Sequence, residues 1–546
     1  MPRLPLTSYE AVRAAASAVR DQVASRTMPP WFADPEHSVD FRNDPRLSAT
    51  QIDTLLTWVK EGAPRGQGAD PRWPDLPRGW AHPQGRQPDA VVRLPRVKLP
   101  ATGEIPYVRL LIKVTVPGDQ WIEGLQALPG NAGVVHHMGI TEVTLAEGVT
   151  PQNMAQLDAV ARQLGMPNGS LTRPKPSIAD PYDPTVYDML SLYTPGTTFE
   201  SFAPRAGKLL RAGAQQYINF NIHYTVTGKP ETDQSRLGLW FAAKPPAQQL
   251  YRTPMSGRTI IANRREILTD DPGTKAEGTG VAIPPIAPGD RDYELTGVTA
   301  LLEPMTVYAL QPHAHLRAKA FRYTVILPDG RERTLLSVPQ YDFHWQLRYE
   351  LKEPVLLPAG SKLVITGTYD NSEHNAHLLA AAAADPSRRC GPDKVVEFRD
   401  QNQTWDEMFS PIVEYAVPRP AEGRQPAVVA SSPVRTAPLD PAIVNEPGVR
   451  LVATAGCLIP DAGGWRLARI GRLADTSTQA TSSAERSELA KLPTGDLSVR
   501  LIGERPFNPA GHAGQLVMAK GALIKDGNGV RLNVTSLQNS GQACAR

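Results

Sequence analysis

Proline occurs 53 times in the 546 residues, about twice ordinary usage, and constrains the fold more than any other feature. A proline breaks the interior of a helix and is excluded from the middle of a central strand. The chain must therefore be built from many short strands joined by long loops, and a helical bundle is excluded. Charge is nearly balanced, with 58 basic against 55 acidic residues, so no nucleic-acid groove or polybasic membrane arm is expected. No stretch reaches the roughly 20 apolar residues that span a bilayer. The opening segment has no apolar core of secretory type, so no signal peptide is expected. Three cysteines, Cys390, Cys457 and Cys544, are too few and too far apart for a disulfide scaffold or a zinc finger.

Residues 8–25 are rich in helix formers, and Val12, Ala15, Ala16, Val19 and Val23 recur at helical spacing. A second helix starts at Ser48, with Gln51 placed as in a capping box, and stops near Gly62. Residues 1–62 thus read as a small helical segment and 63–89 as a linker. From 90 to 417 the pattern is of strands: 107–116, 139–145, 217–226, 321–327, 345–351 and 362–369, bounded by turns such as Pro328-Asp-Gly-Arg331. This length exceeds one sandwich, and a boundary near Pro245-Pro246 divides it into 90–243 and 244–417. A proline-rich linker, 418–447, precedes a last all-β unit, 448–546. Its short strands and the hairpin across Asp526-Gly-Asn-Gly529 suggest a small OB-like barrel. Cys457 and Cys544 either pair, as in an oxidising compartment, or stay as two thiols.

Chemistry enters with the 11 histidines. His136 and His137 are adjacent. His223 sits within a strand, and His313 and His315 form a His-Ala-His step. Side chains at i and i+2 of a strand leave the same face, so that step can chelate one metal ion. An adjacent pair points to opposite faces and shares a metal only where the strand ends or twists; Gly133 nearby permits that.

The order His136-His137, then His223 in an Ile-His-Tyr strand, then His313-Ala-His315, then Met408 in Thr404-Trp-Asp-Glu-Met408, resembles the copper type II, ascorbate-dependent monooxygenases. This is the family of the peptidylglycine- and dopamine-hydroxylating enzymes. The segments 312–323, Tyr341-Asp-Phe-His-Trp345 and Tyr369-Asp-Asn371 resemble its bacterial forms, over about residues 90–417. The resemblance implies two tandem jelly-roll-like β-sandwiches and two copper ions in separate pockets. His136, His137 and His223 would hold an electron-transfer copper. His313, His315 and Met408 would hold the copper where oxygen is bound, and are the expected catalytic residues. Imidazole suits both copper oxidation states, and a thioether favours Cu(I).

The implied activity is hydroxylation of a C–H bond in a small organic substrate, with O2 and an external donor, ascorbate or a cytochrome. The implied location is periplasmic or extracellular. Asp406 and Glu407 are candidates to support the second metal, or else solvated surface carboxylates. His344, His374 and His377 lie near that site in sequence, and His374 and His377 could bind metal or be ordinary surface histidines. The family's substrate-gripping arginine is Gln311 here and its substrate tyrosine is Ile412, so a carboxylate-bearing peptide is not the expected substrate.

Residues 26–31 resemble the part of a cytochrome c-like domain that supplies an axial methionine, here Met28. Without Cys-x-x-Cys-His, covalent haem cannot form on this chain. Either the chain's start is assigned too late or the segment is a helical relic. Two further readings compete. A copper-binding or electron-relay protein without catalysis would need one site rather than two. A cupin-like iron or zinc enzyme would want two histidines and a carboxylate on one metal.

Overall fold

The computed structural model describes the chain apart from residues 1–5, 7, 70–78, 104, 106, 145–188, 204, 215, 274–280, 385–389, 399–403, 419–447, 493, 528 and 545–546. The second proline-rich linker therefore lies almost entirely outside the described residues. The architecture is mainly β: two tandem jelly-roll-like sandwiches, a small closed barrel and a few helices. Among the described residues no helix is long and apolar enough to cross a membrane.

The first sandwich packs a four-stranded sheet against one face of a larger sheet. The four strands run in the order Val108–Lys113, Gln216–Tyr224, Val135–Thr144, Met189–Tyr193. From Ile218 to Tyr224 the alternation is strict. Ile218, Phe220, Ile222 and Tyr224 enter the core with Ile122, Leu125, Leu237 and Leu239 of the facing sheet. Asn219, Asn221 and His223 occupy the other face, as the period of two requires.

The larger sheet does not end with the first sandwich. Its strand Ala206–Leu210 pairs in parallel with Gln248–Pro254, and the sheet continues through Ser410–Pro418, Met305–His313 and Tyr349–Leu357. That second half is covered by a six-stranded sheet that includes Tyr293–Ala300, Lys362–Tyr369 and Ala318–Ile326. Between Phe241 and Gln248 the chain passes from the strand Arg236–Phe241 to the strand Gln248–Pro254. A buried ion network locks the crossing. Arg252, 1% exposed, bonds Glu414 at 2.8 Å and Glu200 of the first sandwich at 2.7 Å, while Arg348 reaches the other oxygen of Glu414 at 2.7 Å.

The helical segment holds Tyr9–Ala14, Ala16–Ala24 and Ala49–Lys60. Ser48 and Gln51 make the reciprocal capping box expected of them. Residues 31–43 leave these helices and join the second sandwich, which the helical reading of 1–62 did not anticipate. Trp31 is buried with Phe41 and Tyr349, its ring 4.8 Å from that of Tyr349. Backbone bonds run from Asp34 to Ser337, Val39 to Leu335 and Arg42 to Glu350. Three short helices cannot cover the apolar run Trp31, Phe32, Val39 and Phe41, whereas the sandwich core can.

The C-terminal strands Gly448–Asp461, Gly464–Ile470, Leu497–Ile502, Gln515–Asp526 and Gly529–Ala543 close into a five-stranded barrel. In sequence order the path is first, second, third, fifth, fourth and back to first. The third and fifth strands run parallel, an OB-like topology. The expected hairpin pairs Asp526 with Gly529. Cys457 and Cys544 form a disulfide, with Cα atoms 5.7 Å apart. The barrel is fused to the second sandwich: Asn533 donates to the Gly360 carbonyl, Glu266 accepts from the Leu537 amide, and Ile261 and Val298 enter the barrel's core.

Candidate metal centre

His137 and His223 lie directly opposite each other on neighbouring strands. The register slips between Val135 and His137, so that His136 is one extra residue with no partner across the ladder. Such a bulge re-aims a side chain. It lets two consecutive histidines face His223, which regular pleating forbids. One ring nitrogen from each of His136, His137 and His223 lies within 4.8 Å of the others. The Nδ1 atoms of His136 and His137 stand 3.0 Å apart. Nδ1 of His223 is buried without a hydrogen-bond partner among the described residues.

Tyr107, just before the strand Val108–Lys113, stacks on the His223 ring at 4.9 Å and places its hydroxyl 3.3 Å from His137 Nε2. Nothing in the sequence distinguishes it from a core tyrosine. Only its place beside the strand that neighbours His223 could have marked it.

His313 ends the strand Met305–His313, opposite Ser410. Its Nδ1 is 2.8 Å from Gln346 Oε1, and since an amide oxygen only accepts, Nδ1 carries the proton and Nε2 keeps the lone pair. His315 is set the same way: Nδ1 donates to the Asp406 carbonyl at 3.2 Å. The Glu407 carboxylate is fully buried and accepts from the backbone N–H of His315 at 2.7 Å, Arg317 at 2.8 Å and Met408 at 2.9 Å. It is thus neither a solvated surface group nor a ring-orienting one; it clamps the His-Ala-His turn to the segment that carries Met408. Burial pushes its pKa up to about 7 against the pull of those three donors and Arg317.

The two histidine groups are not separate pockets. The rings of His137 and His313 are 5.9 Å apart, and Tyr107, stacked on His223, also lies 6.4 Å from His315. Phe343 closes the chamber, 5.7 Å from His136 and 5.9 Å from His315. The shared sheet explains the approach. It fixes the strand ending at His313 to the first sandwich, where Ile412 packs against Met189 and Leu192.

Every imidazole in the chamber is kept neutral. Burial lowers His136 to about 4 and His223 and His315 to about 3, and depresses His137 and His313 as well. Neutral imidazole is the form that binds metal.

Gln311 is buried. Its Nε2 bonds the Gln346 carbonyl at 3.0 Å, while its Oε1 has no hydrogen-bond partner among the described residues. Ile412 is buried and packs against Met189 and Leu192. Met28 stands before a proline in the helical segment, and His374 joins no metal-like group among the described residues.

No protein-family model matches the chain. No curated protein matches it. Among solved structures it is similar to allantoicase from Saccharomyces cerevisiae, at 8% identity over 49% of this chain and 79% of that one. The TM-score is 0.13, a likeness that carries no argument about fold or function.

Proposed function

We propose that the chain is a copper-dependent monooxygenase that hydroxylates a C–H bond of a small organic substrate, using O2 and an external electron donor. One observation carries the reading. Five histidines spread over 180 positions of sequence converge, neutral, three of them buried and two partly buried, in one chamber between two fused sandwiches.

The residues fit the metal. His136, His137 and His223 would hold one copper ion, with two Nδ1 atoms already 3.0 Å apart and a third without a partner among the described residues. His313 and His315 would hold the other through Nε2, with Met408 as the soft ligand. When bound, the copper ions would supply one-electron chemistry and the activation of O2. The chain's own residues do the rest. Gln346 and the Asp406 carbonyl fix the tautomers of His313 and His315, so that both present a lone pair. Glu407 holds the methionine segment against the His-Ala-His turn. Phe343 and Tyr107 pack their rings against the histidines of both groups. With Gln311 half-satisfied and no cation in the arginine position, the substrate is neutral or apolar rather than an anionic peptide.

The test is oxygen uptake by copper-loaded protein given a reductant. Uptake is expected, and Met408→Ala is expected to abolish it while His223→Ala still binds oxygen. A Met408→Ala protein with unchanged uptake overturns the assignment of the second group.

A further inference from the structure

Outside the chamber, a second set of metal-ligating side chains converges at the surface. Asp342 and His344 lie on the loop that carries Phe343, and His377 lies on the helix Ala376–Ala384. One donor atom from each lies within 4.8 Å of the others. The Asp342 carboxylate accepts from the His344 backbone N–H at 2.8 Å and stands 3.0 Å from its Nδ1. The rings of His344 and His377 are 5.4 Å apart.

A hydrogen-bonded Asp-His pair alone is ordinary turn geometry. It does not account for a third donor arriving from a different element. Both donor-bearing segments are anchored independently of any ion. Phe343 and Gln346 are buried on either side of His344. Asn375, buried at the start of the helix, donates to the carbonyls of Leu316 and Asp370 and accepts from the Leu378 N–H. Donors about 2.0–2.2 Å from a tetrahedral ion sit about 3.4 Å from one another, so small rotations of exposed side chains complete the set.

We propose that Asp342, His344 and His377 form an outer site for a divalent first-row transition-metal ion. Zn2+ fits its donors best: two imidazoles and a carboxylate, with at least one position open to solvent. The site lies one residue from Phe343, so an ion held there steadies the wall of the histidine chamber. The inference rests on these three residues and not on the monooxygenase reading.

The experiment titrates chelator-treated full-length protein with Zn2+ by calorimetry, and with Co2+ by its visible absorption. His377 is exposed, so His377→Ala keeps the fold; Asp342→Asn keeps the hydrogen bond to the His344 backbone. Each variant is expected to lose one equivalent of Zn2+, or to bind it at least tenfold more weakly, with an unchanged metal-free melting temperature. The corresponding tetrahedral Co2+ absorption is expected to disappear. Wild-type and His377→Ala protein with the same stoichiometry and affinities within twofold would overturn the proposal, whatever the chamber binds.

Discussion

Removing the Glu407 side chain should unclamp the chamber, and the structure sets the size of the effect. In Glu407→Ala the buried backbone N–H groups of His315 and Arg317 and the part-buried one of Met408 lose their acceptor. Each orphaned donor costs about 1–3 kcal/mol, so roughly 6 kcal/mol is lost in all. Against this stands the relief of a buried carboxylate. Its pKa, pushed up to about 7 from an ordinary 4.5, is equivalent to about 3 kcal/mol of penalty when ionised. The balance at pH 8 is a loss of about 3 kcal/mol. The sign of the pH dependence follows from the raised pKa. The carboxyl's contribution is fullest below the unfolded value and is lost as pH rises through the folded one. The variant should therefore be more damaging at pH 6 than at pH 8, by about 1 kcal/mol. Urea denaturation of both proteins at the two pH values measures this directly. A variant within about 0.5 kcal/mol of wild type, or one more damaging at pH 8, refutes the clamp.

Acid should destabilise the protein through its histidines. Groups held below 6.5 in the fold give stability that is complete above 6.5 and is lost as pH falls toward their folded values near 3–4. By pH 5 His136, His223 and His315 each cost on the order of 2 kcal/mol, while Glu407 works the other way between 4.5 and 7. A melting temperature that holds steady or rises from pH 7 to pH 5 would contradict the neutral chamber. Arg252→Ala should cost about 3–5 kcal/mol, because it leaves the buried carboxylates of Glu414 and Glu200 short of a partner at the junction of the sandwiches. A loss below about 1 kcal/mol in a chemical denaturation series would show that the junction does not depend on that network.

Local features were legible where local physics decides them. The strands Lys362–Tyr369 and Leu497–Ile502 begin and end where their β-branched runs do. The box at Ser48 and the hairpin at Asp526 formed as their chemistry demands. The histidine doublet was legible only halfway. Period-two geometry set His136 and His137 on opposite faces, and it took the bulge at His136 to bring them together. The approach of His137 to His313 depends on a parallel pairing between Ala206 and Gln248 that joins the two sandwiches. Long-range pairing of this kind leaves no periodic trace. Phe343 and Gln346 are buried, and only their neighbours make them part of the site. Trp31 escaped the helical reading because its burial partner, Tyr349, lies more than 300 residues away.

The central claim is that the chamber holds two copper ions on two sets of ligands. Equilibrium dialysis against copper followed by metal analysis tests it, done in the His377→Ala background so that the outer site does not contribute. Two equivalents per chain are expected, with one lost in His223→Ala and the other in His313→Ala. Copper at trace levels, or two equivalents retained in both variants, would contradict it.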